Sequence, residues 1–252
     1  MSETASPWYE AAFDREYLDI YAHRDAADAA RALAFLEREK VVRPGHRVLD
    51  LCCGNGRHSL PLCRAGHLVT GFDLSQALLF DFRARAGCAI SLVRGDMRAL
   101  AFRDQAFGAV LSLFTSFGYF EDDDENWGVL REIVRVLVPG GTFCLDFLNA
   151  SRVRAGLRPH SERTLASGLR VVEDRLIDPE RRRVIKRVAL ERNGRTIRRW
   201  EESVRLFTRD ELDSAATRAG LSGLRAFGDF DSSPALETSP RLILIGRAAV
   251  AR

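Results

Sequence analysis

Two segments constrain this chain more than any others: V-L-D-L-C-C-G-N-G-R-H-S at 48–59 and G-F-D-L-S at 71–75, which put an acid at each end of a glycine turn. Residues 48–51 read as a short apolar strand, Gly54-Asn55-Gly56 as a turn open only to small residues, and 57–65 as a helix. This is a nucleotide-binding βαβ opening. Gly54 and Gly56 would let the backbone approach a ligand, and Asp73, ending a second strand at 68–72, would accept hydrogen bonds from a ribose diol.

The positions of the glycines narrow the ligand. A dinucleotide fingerprint needs a third glycine for close helix packing, with free N–H groups meeting a pyrophosphate. Ser59 occupies that place here, and Asp50 stands four residues before Gly54, where a carboxylate repels phosphate but holds the turn or attracts an ammonium group. A cationic, phosphate-free nucleoside fits better.

From 48 to about 149 the chain resembles the class I S-adenosylmethionine-dependent methyltransferase family. V-L-D-L-C-C-G-N-G looks like the family's first motif, Asp73 like its ribose-binding acid, and G-D-M at 95–97 like its adenine-binding segment. F-G-A-V-L-S-L-F-T-S-F-G-Y-F resembles the fourth strand and its exit, and V-L-V-P-G-G-T-F-C-L-D-F the turn and fifth strand. The departure is Cys52-Cys53, where many members carry Ala or Gly. The resemblance implies an α/β fold, a doubly wound, mostly parallel seven-stranded Rossmann-like sheet with a small antiparallel β insertion. It implies S-adenosylmethionine as cofactor.

At 252 residues, 46% hydrophobic and 29% charged, the chain can bury a full core as one domain. We divide it into a helical lid (1–43), a cofactor-binding core (44–150), an antiparallel insertion serving as substrate cap (166–207), and a final helix and strands (208–252). With 38 basic and 35 acidic residues, the charge does not point to nucleic acid. The N-terminus has no basic leader followed by an apolar run, and no stretch reaches the ~18 apolar residues of a membrane span, so a cytoplasmic location is expected. The five cysteines, Cys52, Cys53, Cys63, Cys88 and Cys144, lack C-x-x-C spacing; buried thiols are expected, and no metal.

Elsewhere helix and strand alternate. Residues 24–38 read as a helix, 76–86 as a helix, 90–94 and 109–114 as strands, 125–137 as a helix before Pro139-Gly140-Gly141, and 142–148 as the fifth strand. Between 169 and 207, Asp178-Pro179 and Asn193-Gly194 separate three runs of interleaved apolar and charged residues, as in antiparallel strands with one wet face. Thr208 with Glu211 makes a capping box for a helix to about 219, which Gly220 ends, and 242–246 supplies a last strand. From Glu173 to Arg205 eleven basic residues alternate with seven acids, as on a solvated sheet face; a sharper reading docks an anionic acceptor, or RNA, on Arg181 to Arg183, Lys186 and Arg187.

A sulfonium methyl is already activated, so the protein must align the acceptor, exclude water and, where needed, remove a proton. The resemblance assigns Asp73 to the ribose, Asp96 to the adenine amino group and Met97 to the ring face, with Cys52, Asn55 and Leu74 completing the cofactor wall. Asp50 orients the turn or the methionyl ammonium, and Phe114, with Thr115 and Ser116, borders the methyl site. Phe13, Tyr17 and Tyr21 recur at four-residue spacing, so they share one helix face: packing, or a lid whose rings cover the sulfonium. Phe13 reads as packing. Tyr17 and Tyr21 are the lid residues, with Arg24 a partner for the methionyl carboxylate. Catalytic candidates are Tyr119, after the fourth strand, Tyr21 and His58; Asp146 and Asn149 end the fifth strand nearby, and His160 reads as an exposed loop. No N-P-P-Y or D-P-P-Y run follows the fourth strand, so the acceptor is expected to be an O or N atom of a small molecule. The alternatives are an RNA methyltransferase, a catalytically silent relative serving as a binding subunit, and a nicotinamide-dependent oxidoreductase, which lacks the third glycine. Whether the insertion pairs two copies into a homodimer stays open.

Overall fold

Apolar runs too short for buried helices become central strands covered on both faces. All six residues of β4 (Phe107–Ser112) are buried, as are four of five in β1 (Arg47–Leu51) and five of six in β2 (Leu68–Asp73). The computed structural model describes residues 7–21, 26–87 and 89–250. In chain order the other elements are α1 (Trp8–Ala12), α2 (Arg15–Ile20), α3 (Ala26–Arg38), α4 (Ser59–Arg64), α5 (Gln76–Arg85), β3 (Ser91–Arg94), α6 (Asp123–Val136), β5 (Leu137–Phe147), α7 (Ala150–Gly156), β6 (His160–Thr164), β7 (Arg170–Asp178), β8 (Arg183–Arg192), β9 (Arg195–Arg205), α8 (Arg209–Ala219), β10 (Leu221–Phe227) and β11 (Leu242–Ala248).

Seven strands form one sheet in the order β10-β11-β5-β4-β1-β2-β3. Strands β1 to β5 are parallel neighbours, and β11 runs antiparallel to both β5 and β10. The strand order reverses between β1 and β4, and the crevice at their carboxyl ends is where an open α/β sheet binds ligands. One apolar cluster lies on each face, around Phe72, Phe117, Phe143 and Phe207 on one side and Phe35, Phe82, Leu111 and Ile245 on the other. Among the described residues no helix is long and apolar enough to cross a membrane.

Three elements differ from expectation. The aromatic spacing at 13, 17 and 21 predicted one helix, but the chain breaks: Phe13 ends α1, and Asp14 caps α2 by accepting from the Glu16 N–H at 3.1 Å. The fifth strand begins at Leu137, because Phe107 pairs with Leu137 while Ala109 pairs with Thr142, so Pro139-Gly140-Gly141 sits within a register shift of the strand. The insertion has four strands, β6-β7-β8-β9. Its first strand, H-S-E-R-T, carries no apolar alternation, so His160 reads as loop in sequence although it pairs with Asp174. The Asn193-Gly194 hairpin forms with both residues at positive φ (51° and 75°), and the Thr208–Glu211 capping box is present.

The N-terminal helices dock on the insertion. Ile20 packs with Val171, Val188 and Leu190, the Arg163 guanidinium donates to the Ile20 carbonyl at 3.1 Å, and Arg198 pairs with Asp14 and Glu16. Arg183 joins the insertion to the core. At 1% exposure it donates to Ser203 Oγ and to the carbonyls of Gly118, Tyr119, Phe120 and Ser203 at 2.7–3.1 Å. Nothing in an R-R-R run marks its third member as the buried one.

Candidate functional site

A cavity of about 580 Å³ opens at the carboxyl ends of β1, β2 and β4. Its floor comes from the glycine turn and the strand ends, its roof from α1, α2 and the loop after β4.

Asp73 holds the floor. Its carboxylate accepts from the Gly54 N–H and the Ser75 N–H, both at 2.8 Å, which ties the glycine turn to the end of β2. Burial raises its pKa above the usual carboxylate range, against those backbone hydrogen bonds. Asp50, expected to orient the turn or the methionyl ammonium, accepts from Ser59 Oγ at 2.5 Å, across to α4. Ser59, which stands where a third glycine was missing, is therefore the partner of the buried acid. Burial pushes Asp50 up to about 7, helped by the Asp73 charge and opposed by the Ser59 hydrogen bond. Cys52 takes a left-handed backbone (φ 58°) and sets its sulfur 3.6 Å from Met97 Sδ, and burial raises its pKa well above the usual thiol range. Gly56 does not line the cavity. At φ +79° an added Cβ there would enter the Phe82 ring, so this glycine serves packing rather than ligand approach.

Tyr17, Tyr21, Cys52, Asp50, Gly54, Asn55, His58, Asp73, Leu74, Asp96, Met97, Phe114 and Tyr119 all line the cavity. Arg24, like Cys88, lies outside the described residues. Asp96 is bound by Arg98, which also pairs with Glu125. Phe114 and Thr115 both have φ of 62°, two consecutive non-glycine residues in left-handed backbone; Asp146 holds them, its carboxylate accepting the Phe114 N–H at 3.0 Å and its carbonyl the Thr115 N–H at 2.8 Å. Asp146 is backed by Arg241 at 2.8 Å. Asn149 instead caps α7 and reaches the 236–239 loop. Cys52, Cys53 and Cys144 are free thiols, whereas Cys63, expected as a thiol, is disulfide-bonded.

Sequence reasoning missed Tyr9, Ser75, Arg57 and Phe120, which also line the cavity. The signal was compositional: the chain has four tyrosines, and all four face this one space. Phe13 stacks on Tyr119 at 5.9 Å between ring centres, Tyr17 packs edge-on against Phe13 at 5.1 Å, and Tyr21 tilts against Tyr17 at 4.5 Å. Ser75 Oγ donates to the Phe13 carbonyl at 2.6 Å, fixing the end of α1 beside Asp73.

Of the residues proposed to dock an anion, each is matched. Arg181 pairs with Glu121, Arg182 with Glu211, Lys186 with Glu202 and Arg187 with Glu201, and Arg183 is buried. The structure thus favours the solvated-face reading of the insertion.

The lining suits a cationic nucleoside. Four carboxyl groups, Asp50, Asp73, Asp81 and Asp96, line the space along with Arg57, Arg64 and Arg85; Arg85 is paired with Asp81, and Arg57 is paired with Asp28 at 3.2 Å and stacked on Phe114 rather than aimed at a pyrophosphate. The His58 Nε2, buried among the described residues without a hydrogen-bond partner, supplies a polar atom for a ligand to satisfy.

Comparison with known proteins agrees. A family profile described as "Methyltransferase domain" matches residues 48–141. An uncharacterized protein of Mycobacterium tuberculosis is 34% identical over 128 residues, 47% of this chain and 44% of that protein, so the match spans under half the length of that relative. The dTDP-3-amino-3,6-dideoxy-alpha-D-glucopyranose N,N-dimethyltransferase of Streptomyces fradiae is 28% identical, covering 88% of this chain and 89% of its own. The CcbJ methyltransferase of Streptomyces caelestis superposes with a TM-score of 0.79 at 22% identity, over 95% of this chain and 98% of that one. With its glycine turn, the acid ending β2, the G-D-M segment and this strand order, residues 48–141 match the methyltransferase-domain profile and the chain is similar throughout to S-adenosylmethionine-dependent methyltransferases, consistent with the class I family.

Proposed function

We propose that this protein transfers the methyl group of S-adenosylmethionine to an oxygen or nitrogen of a small-molecule acceptor. The observation that carries the reading is one roofed cavity whose floor is acidic and turn-built and whose roof is aromatic. When bound, the cofactor supplies an electrophilic methyl on a positively charged sulfur. Asp73 would hold its ribose, Asp96 and Met97 its adenine, and Asp50 with Asn55 and the turn its methionyl end. The lid rings and Tyr119 exclude water and present π faces, which favour a cation.

We take 1–43 as lid and the four-stranded insertion as substrate cap, bounding the acceptor side. The roofed cavity and the paired arginines support a small molecule over RNA. A cytoplasmic location completes the proposal. A relative acting on an amino sugar nucleotide makes amines and hydroxylated sugars the first acceptor classes to screen.

The test is calorimetric titration with S-adenosylhomocysteine, with NAD as control, followed by an acceptor panel. Micromolar binding with no NAD response, and methyl transfer to a panel member, is the expected result. Absence of binding by either ligand would make the silent binding-subunit reading the better one.

A further inference from the structure

The three catalytic candidates that line the cavity are Tyr119, His58 and Tyr21. Their surroundings separate them. Burial raises Tyr119 well above the usual phenol range, and the charges of Glu202 and Asp73 add to the rise, so its phenolate is disfavoured. Burial, with Arg57 and Arg241, pushes His58 down to about 3, which makes it a very weak base.

Tyr21 is placed differently. Its hydroxyl oxygen accepts from Lys186 Nζ at 2.5 Å and donates to Glu202 Oε1 at 3.4 Å. Lys186 is pinned by Glu202 Oε2 at 2.6 Å, and the Trp200 indole N–H donates to Glu202 Oε1 at 3.2 Å. Lys186 stays protonated: burial opposes its charge, but Glu202 and Tyr21 outweigh that and raise its pKa. A cation nearer to the phenol oxygen than the carboxylate favours the phenolate. Among the described residues the charged groups around this oxygen are Lys186 on β8 and Glu202 on β9. Glu173 on β7, itself bonded to Arg163 and Arg175, acts through Lys186. The Tyr17 ring completes the surroundings from α2.

We propose that Tyr21, held by Lys186 and Glu202 at the junction of lid and insertion, is the group that accepts the acceptor's proton. This rests on the methyltransferase reading. In the step, the acceptor heteroatom forms its bond to the methyl carbon as the carbon–sulfur bond breaks, and that electron pair stays on sulfur. The proton leaves the heteroatom for the Tyr21 phenolate oxygen, and the phenol later returns it to water. The general base is thereby assembled only when α2 is docked on the insertion, so the acceptor is activated only in the closed site.

Ultraviolet absorbance titration of the whole protein tests this without a known acceptor, because only four tyrosines contribute. One tyrosine should ionise ahead of the other three. That early step should vanish in Tyr21→Phe, move to higher pH in Lys186→Met and to lower pH in Glu202→Gln, with thermal melting checking that each variant is folded. Four tyrosines ionising together, or an early step surviving in Tyr21→Phe, would overturn the proposal. Because the titration needs no ligand, this outcome is distinct from a failure to bind S-adenosylhomocysteine, which would remove the methyltransferase reading itself. Once an acceptor is found, Tyr21→Phe should lower kcat more than it alters KM.

Discussion

The floor and the roof of the cavity are built by different means. The floor is built mainly from positions 48–75, in which backbone N–H groups of a turn meet one carboxylate at the end of the next strand. The roof brings together segments near residues 10–20, 120 and 160–205, joined by side chains such as Arg183, Arg163, Arg198 and Lys186. The floor's chemistry needs only near neighbours in sequence, so it is general to a cofactor. The roof depends on distant ones, and it is where we propose that an acceptor is selected.

If the roof is a side-chain assembly, removing its most buried polar member should give the largest loss. Arg183→Ala would leave the carbonyls of Gly118, Tyr119, Phe120 and Ser203 without this donor, and chemical denaturation should register about 3–5 kcal/mol of destabilisation. A loss below about 1 kcal/mol would mean that roof and floor are held independently of it.

The floor should fail more specifically. Asp73→Ala frees the Gly54 and Ser75 N–H groups and is expected to weaken S-adenosylhomocysteine binding about 100-fold, about 2.7 kcal/mol by calorimetry. Retained affinity would show that the turn keeps its shape without its acid.

A smaller effect comes from Asp50. Its folded pKa, about 7, lies above the ordinary carboxyl value, so in the window between them the folded chain keeps a proton that the unfolded chain has lost. Its stabilising contribution is therefore greatest at low pH and falls as pH rises toward 7. Relative to Asp50→Asn, the wild type should lose about 1 kcal/mol between pH 6 and 7 in denaturation curves, since a full unit is worth at most 1.36 kcal/mol. Parallel pH profiles for the two proteins would rule out a protonated Asp50.

The smallest expected effect is on the outer face of the insertion. Arg187→Gln removes an exposed pair with Glu201 and should change stability by less than about 0.5 kcal/mol, leaving the salt dependence of cofactor binding unaltered. A clear change in salt dependence would revive the anion-docking reading.

The legibility of the molecule follows the same division. Asp73, the G-D-M segment, the Asn193-Gly194 hairpin and the Thr208–Glu211 box were readable because each is a local rule of spacing, sterics or capping. The break at Phe13–Asp14, the extra strand β6 and the disulfide at Cys63 were not, since none has a periodic signature in its own window. Gly56 was readable as a required glycine, but its reason, the Phe82 ring, was not.

Sequence alone determined the parallel α/β core, the cofactor class and the acid that ends the second strand beside the glycine turn, because hydrophobic period, turn sterics and the placement of one carboxylate act over a few residues. Tertiary structure decided which arginine is buried, that Asp50 answers to Ser59, and that four tyrosines converge on one space. Those outcomes depend on burial and on partners far apart in the chain, and burial sets both a side chain's pKa and whether its hydrogen bonds must be satisfied from within the protein.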